Sequence, residues 1–115
     1  MAYERKVGKV LRTLWPMTRS AIWFAFEDAN GPGCCQMDHL AVFPDQVLVI
    51  ECKLSETDYA WLQIEALYAP VLGEYFQRPV TGIQATRHLR NETEIADVRE
   101  ALTRPGGRFL WHYLG

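Results

Sequence analysis

The stretch Val47-Leu48-Val49-Ile50-Glu51-Cys52-Lys53 constrains the fold of this chain more than any other. Its four leading residues are apolar and three of them are β-branched, which predicts a short buried strand. The strand then ends on a carboxylate and an amine two residues apart. Side chains alternate along a strand, so Glu51 and Lys53 share one side and Cys52 takes the other. An acid and an amine at the edge of an apolar core are costly to desolvate. On its own the pair reads as a salt bridge at the mouth of a strand, and its meaning depends on what surrounds it.

At 115 residues the whole chain, 1–115, reads as a single domain, and 49% hydrophobic residues supply one core. No apolar run has the length of a membrane span, and Met-Ala-Tyr-Glu-Arg-Lys lacks the apolar stretch of a secretory signal. The expectation is a cytoplasmic protein with no membrane association, or one in a host cytoplasm if phage-encoded. Cys34, Cys35 and Cys52 are an odd set with two adjacent members, which reads as buried free thiols and not as a disulfide framework. With no C-x-x-C, and with His39, His88 and His112 off ligand spacing, a zinc site is excluded.

Charge is unevenly spread. Residues 1–20 carry a net +4, residues 21–77 a net −8 with Lys53 as the lone base, and residues 78–115 a net +2. An acidic centre suits divalent cations and basic flanks suit phosphate. The total of −2 is not that of a protein that simply coats DNA.

Along the chain, Val7, Val10, Leu11 and Leu14 give one apolar helical face over Tyr3–Leu14, which Gly8 weakens and Trp15-Pro16 ends. Ser20–Glu27 and Cys34–Phe43 read as strands joined by a turn cluster, and Pro44-Asp45-Gln46 turns the second into Val47–Lys53. The three form an antiparallel meander. Alternation places Gln36, Asp38 and Leu40 on one face of the second strand and Met37, His39 and Ala41 on the other. Asp38 is then a carboxylate in mid-strand, opposite a residue close to Glu51 or Lys53. A helix over Asp58–Ala69 follows, with Ser55 as its cap, a break or kink at Pro70 and a short helical piece to Phe76. Val80–His88 reads as a strand, Glu94–Leu102 as a helix and Phe109–Leu114 as a last strand. The tryptophans and His39 read as core or interface residues, with base stacking open to one tryptophan.

Helix, strand, strand with Asp38, strand with Glu51-Cys52-Lys53, helix with Gln63, strand: this order resembles the PD-(D/E)XK nuclease superfamily, over roughly Glu4 to Arg87. The Ile-Glu-Cys-Lys segment is similar to that of Holliday-junction resolvases and phage-type nucleases. Met37 stands where the family name has proline. Gln63 and Tyr68 lie five apart, against the Gln-x-x-x-Tyr of the exonuclease-like branch.

The resemblance implies an α/β fold with a restriction-endonuclease-like core, a mixed central sheet flanked by helices. It implies a metal-dependent endonuclease acting on DNA, with junction or branched DNA among its substrates. Asp38, Glu51 and the backbone carbonyl of Cys52 would hold Mg²⁺, or Mn²⁺ in its place. Lys53 would hold the attacking water, Gln63 would orient a water or phosphate, and Glu4, or failing it Glu27, would complete the site. Arg5, Lys6, Lys9 and Arg12 are candidate DNA-phosphate contacts, otherwise a solvated helix face. Cutting both strands favours a homodimer, for which the C-terminal strand offers an edge. The competing readings are a binding module for nucleic acid or protein on the same fold, without catalysis, and an unrelated α/β domain with a structural Glu51–Lys53 pair.

Overall fold

The N-terminal apolar stripe forms the helix its spacing predicts. The computed structural model describes residues 2–88 and 97–113, and in it α1 spans Ala2–Leu14. Val7 and Leu11 are fully buried, with Tyr3 and Trp15 beside them. Burying each such aliphatic side chain is worth about 1.5–3 kcal/mol. Gly8, unfavourable for helix propensity, has a packing reason: a Cβ there would lie 2.7 Å from the His39 ring.

Among the described residues five strands form one sheet in the order β1-β2-β3-β4-β5: β1 Arg19–Asp28, β2 Gly31–Val42, β3 Val47–Ser55, β4 Val80–His88 and β5 Arg108–His112. The first three pair antiparallel as a meander, and β4 and β5 continue the sheet in parallel with β3. Helices cover both faces. Leu48 and Ile50 pack toward α1 and a 3-10 helix at Val98–Thr103. Val47 and Val49 pack toward the crossover helix between β3 and β4, residues 58–76, on the other face. The β3 strand is therefore buried on both sides, as its unbroken apolar run requires.

Strict alternation fails at Asp38. Met37 and Cys35 pack toward the crossover helix, as does Leu40, while His39 and Ala41 face α1. The expected grouping of Met37 with His39 and Ala41 is thus corrected: the strand changes faces between Met37 and His39. The cause lies across the ladder. Ala21, opposite Asp38, has a φ of 52°, a left-handed conformation uncommon for a residue with a Cβ. Ser20 pairs with His39 and Ile22 with Met37 on either side of this bend. The β2–β3 ladder ends at His39–Ile50, and beyond it the β1–β2 hairpin leaves β3.

The crossover helix also departs from expectation. Its N-cap is Thr57, which accepts a hydrogen bond from the Tyr59 amide, and Ser55 instead belongs to β3. Pro70 does not interrupt it. Helix α2 at Asp58–Gln63 runs into a π-helical segment at Ile64–Tyr68 and on into α3 at Ala69–Phe76. The wide turn closes with the Ala69 amide on the Ile64 carbonyl, immediately before a residue with no N–H to give. Gly82 on β4 leaves room below it, since a Cβ there would overlap Ile64.

The expected helix over Glu94–Leu102 lies partly outside the described residues, and its described part is the 3-10 turn at Val98–Thr103, capped by the Asp97 side chain on the Arg99 amide. The last strand is Arg108–His112, with Leu114 outside the described residues. Cys34 is exposed, contrary to the expectation of three buried thiols, because it lies on the outer face of the hairpin. Among the described residues no helix is long and apolar enough to cross a membrane.

Candidate functional site

The fork where β2 leaves β3 gathers the polar residues of interest. Cys52 would continue the ladder, but β2 has turned away, so its amide donates instead to Asp38 Oδ2 at 2.9 Å. In a strand, the N–H and C=O of one residue point to the same edge, so the Cys52 carbonyl opens into the same gap. Glu51 and Lys53 project to the crossover-helix side of β3, with Lys53 Nζ 3.5 Å from Glu51 Oε1. The lysine side chain is about a third exposed and the Glu51 side chain is almost wholly buried. Lys53 Nζ also lies 5.8 Å from the centre of the Tyr59 ring.

Burial sets the electrostatics. Glu51 is pushed up to about 7, first by desolvation and then by the neighbouring Asp38, with Lys53 pulling the other way. Asp38 is raised by burial, partly offset by the Cys52 amide and by Lys53. The two carboxyls are close enough to hydrogen-bond when one holds a proton. Glu51 Oε2 is buried and has no hydrogen-bond partner among the described residues. A buried acceptor left in that state costs free energy unless a proton or cation meets it.

Glu4 reaches the same neighbourhood. It lines a cleft of about 290 Å³ with Arg5, Arg12, Gln36, Asp38 and His39, and its charge is felt at Glu51 and Cys52. Glu27 does not reach it. That residue pairs with Pro32 near the hairpin tip and lines a separate groove against α3. Of the basic residues on α1, Arg5 and Arg12 line the cleft, and Lys6 and Lys9 do not. Arg12 Nη1 donates to Ser20 Oγ at 2.9 Å. His39 is a packing residue, as expected: its ring joins Ser20 Oγ at 2.7 Å to the Glu4 carbonyl at 2.9 Å, and burial lowers its basicity.

Gln63 is the last residue of α2, and its Oε1 is buried without a partner among the described residues. Tyr68 closes the π-helical segment and donates to the Gln36 carbonyl at 3.2 Å. Its hydroxyl is held above its ordinary value by burial, then by the charges of Glu51 and Asp38. A π turn closes at five residues, so Gln63 and Tyr68 fall on one side of the helix as residues four apart do in an α-helix.

Sequence reasoning did not single out Tyr59 or Gln84 either. Gln84, fully buried beside Glu51, ties the start of α2 to β4 through two hydrogen bonds with the Thr57 backbone. Its signal was a polar side chain inside an apolar strand pattern. Among the described residues, no group of three or more His, Cys, Asp or Glu side chains is placed to hold a metal. The side-chain donors at the fork are two carboxylates, which suits a cation that retains several waters. No family model, no curated protein and no solved structure matches the chain.

Proposed function

We propose that this chain is a metal-dependent endonuclease that hydrolyses phosphodiester bonds in DNA, on a restriction-endonuclease-like core. One observation carries the reading. Half-buried Asp38 and buried Glu51 form a carboxyl pair, with one Glu51 oxygen that meets no donor among the described residues, at a break in the sheet where a backbone carbonyl and Lys53 also converge.

These residues fit Mg²⁺, with Mn²⁺ as a substitute. Two acids forced together in a desolvated gap repel each other until a proton or a cation lies between them, and Glu51 Oε2 has no donor among the described residues. Asp38, Glu51 and the Cys52 carbonyl would hold the ion. The chemistry it supplies when bound is Lewis-acid charge on a phosphoryl oxygen and a more acidic water.

The chain's own groups do the rest. The Lys53 ammonium orients the attacking water and meets negative charge as it grows on the phosphate. Glu51 restrains that ammonium at 3.5 Å, and Tyr59 lies beside it. Gln63 Oε1 accepts from a water or orients a phosphate-bound one. Glu4 adds a third carboxylate at the cleft, and Arg5 and Arg12 receive the flanking phosphates. The π turn offsets the wider Gln63–Tyr68 spacing, so that spacing no longer counts against the exonuclease-like branch. Cutting both strands requires a second copy or a second binding event.

The test is nicking of supercoiled plasmid in Mg²⁺ or Mn²⁺ against EDTA, for the unaltered chain and Lys53→Ala. We expect metal-dependent cutting and a loss of about a hundredfold or more in the variant. A folded chain that binds DNA without cutting it under either metal would instead be a binding module. Equal cutting by Lys53→Ala would remove this site from the reaction.

A further inference from the structure

The bend at Ala21 and Asp38 has a consequence for the face of the hairpin beyond it. Ile22, Phe24 and Phe26 turn toward the crossover helix, which leaves Trp23 on the opposite face. Trp23 is 63% exposed, whereas Trp15, Trp61 and Trp111 are each under 10%. Its ladder partner is Gln36, and residues directly opposite in a ladder share a face. Gln36 lines the cleft that also holds Asp38, Arg5 and Arg12. Trp23 therefore stands on the rim of that cleft. Gln36 lies two residues from Asp38, about 7 Å along the strand. That is the scale of one or two nucleotides.

An exposed indole costs apolar hydration and offers a flat π face. Two exposed arginines line the adjoining cleft. Two arginines set beside the Glu4 and Asp38 carboxylates, with an aromatic platform next to them, can hold a single strand with its phosphates on the cations and a base on the ring. A base inside a duplex cannot offer its face in this way.

We infer that Trp23 is a stacking platform for an unpaired DNA base next to the cleft, so that the chain selects substrates with a single-stranded segment over plain duplex. The inference deepens the nuclease reading by naming its substrate class. It rests on that reading for where the scissile phosphate lies, but its test does not depend on cleavage.

The three other tryptophans are buried, so quenching of tryptophan emission by added DNA reports Trp23. In EDTA, the intact chain is titrated with a twelve-residue oligothymidylate, with an abasic strand of the same length and charge, and with a duplex. The oligothymidylate should quench the emission and the abasic strand should not. Trp23→Phe should still bind, seen by fluorescence anisotropy of a labelled strand, but without the quench. Trp23→Ala should lower the ratio of single-strand to duplex affinity about ten- to a hundredfold. An unchanged ratio in Trp23→Ala, or equal quenching by the abasic strand, overturns the inference. If the inference fails while plasmid nicking still depends on Lys53, the nuclease reading stands alone. If nicking is absent while quenching and the ratio behave as expected, the nuclease reading fails and the base platform stands.

Discussion

Glu51 concentrates the tension of the site in one side chain. Its carboxyl is held at about 7, against an ordinary value near 4.5, because burial and Asp38 disfavour its charge more than Lys53 favours it. A carboxyl raised on folding stabilises the folded state below its unfolded value, and that contribution is lost as pH rises through the folded value. The metal-free chain should therefore lose stability from this group between about pH 4.5 and 7, on the order of a few kcal/mol at most. Asp38 is raised too and works in the same direction. His39 is lowered by burial, so its contribution is lost in the opposite sense, as pH falls. The readout is accordingly the difference between the unaltered chain and Glu51→Gln in thermal melts from pH 5 to 8 in EDTA. We expect the variant to gain relative stability as pH rises. Adding Mg²⁺ should reverse the penalty in the unaltered chain above pH 7 and do nothing for the variant. A difference that stays flat across that range would remove the raised Glu51 from the account.

At the scale of elements, the π segment and β4 are fitted to each other. Ile64 sits over Gly82, where no Cβ can be added without overlap. Gly82→Ala should cost about 1–3 kcal/mol in a denaturant melt, although alanine suits a strand no worse than glycine does. Combining it with Ile64→Ala, which removes the Cγ2 methyl that the new Cβ would meet, should cost less than the sum of the two. Additive costs would place the strain elsewhere. This is also where the sequence stopped being legible. Helix α1 could be read from the period of its apolar stripe, and the strand Val47–Lys53 from its unbroken apolar run, because such patterns survive any detail of packing. The continuous crossover helix could not be read, because Pro70 signals a stop and the wide turn that accommodates it leaves no compositional mark. Asp38, Glu51 and Lys53 were legible as a set, since register follows from a short turn. The change of face at Asp38 was not, since it depends on a left-handed alanine that no residue type announces. Trp23 follows from that same bend, and so its exposure was hidden as well.

The whole molecule divides unequally at the fork. β3 and β4 are covered by helices on both faces, with Val47 to Ile50 fully buried. The outer hairpin, from Ile22 to Met37, has lost β3 as a neighbour and keeps apolar cover on its crossover-helix face alone. Local opening follows buried contact and ladder support, so this hairpin should open at lower cost than the centre of the sheet. Hydrogen exchange followed by mass spectrometry should show Ile22–Met37 exchanging at least about tenfold faster than Val47–Cys52 and Val80–Thr86. Equal protection would mean that the hairpin and the sheet open as one unit. Motion of this kind would carry Trp23 and Gln36 while leaving Glu51 and Lys53 in place, because the two pairs stand on opposite sides of the fork.

Asp38 holds two offices at once. Its carboxylate takes the place of a missing strand by accepting the Cys52 amide, and it is also half of the acid pair. Loss of activity in Asp38→Ala would thus be ambiguous, since the gap could close or the amide could be stranded. Asp38→Asn keeps an oxygen for that amide and discards the charge. Under the proposed reading, comparing the two separates the keystone from the candidate metal ligand, and the same logic recommends asparagine over alanine wherever a charged group also spans a gap in its own scaffold.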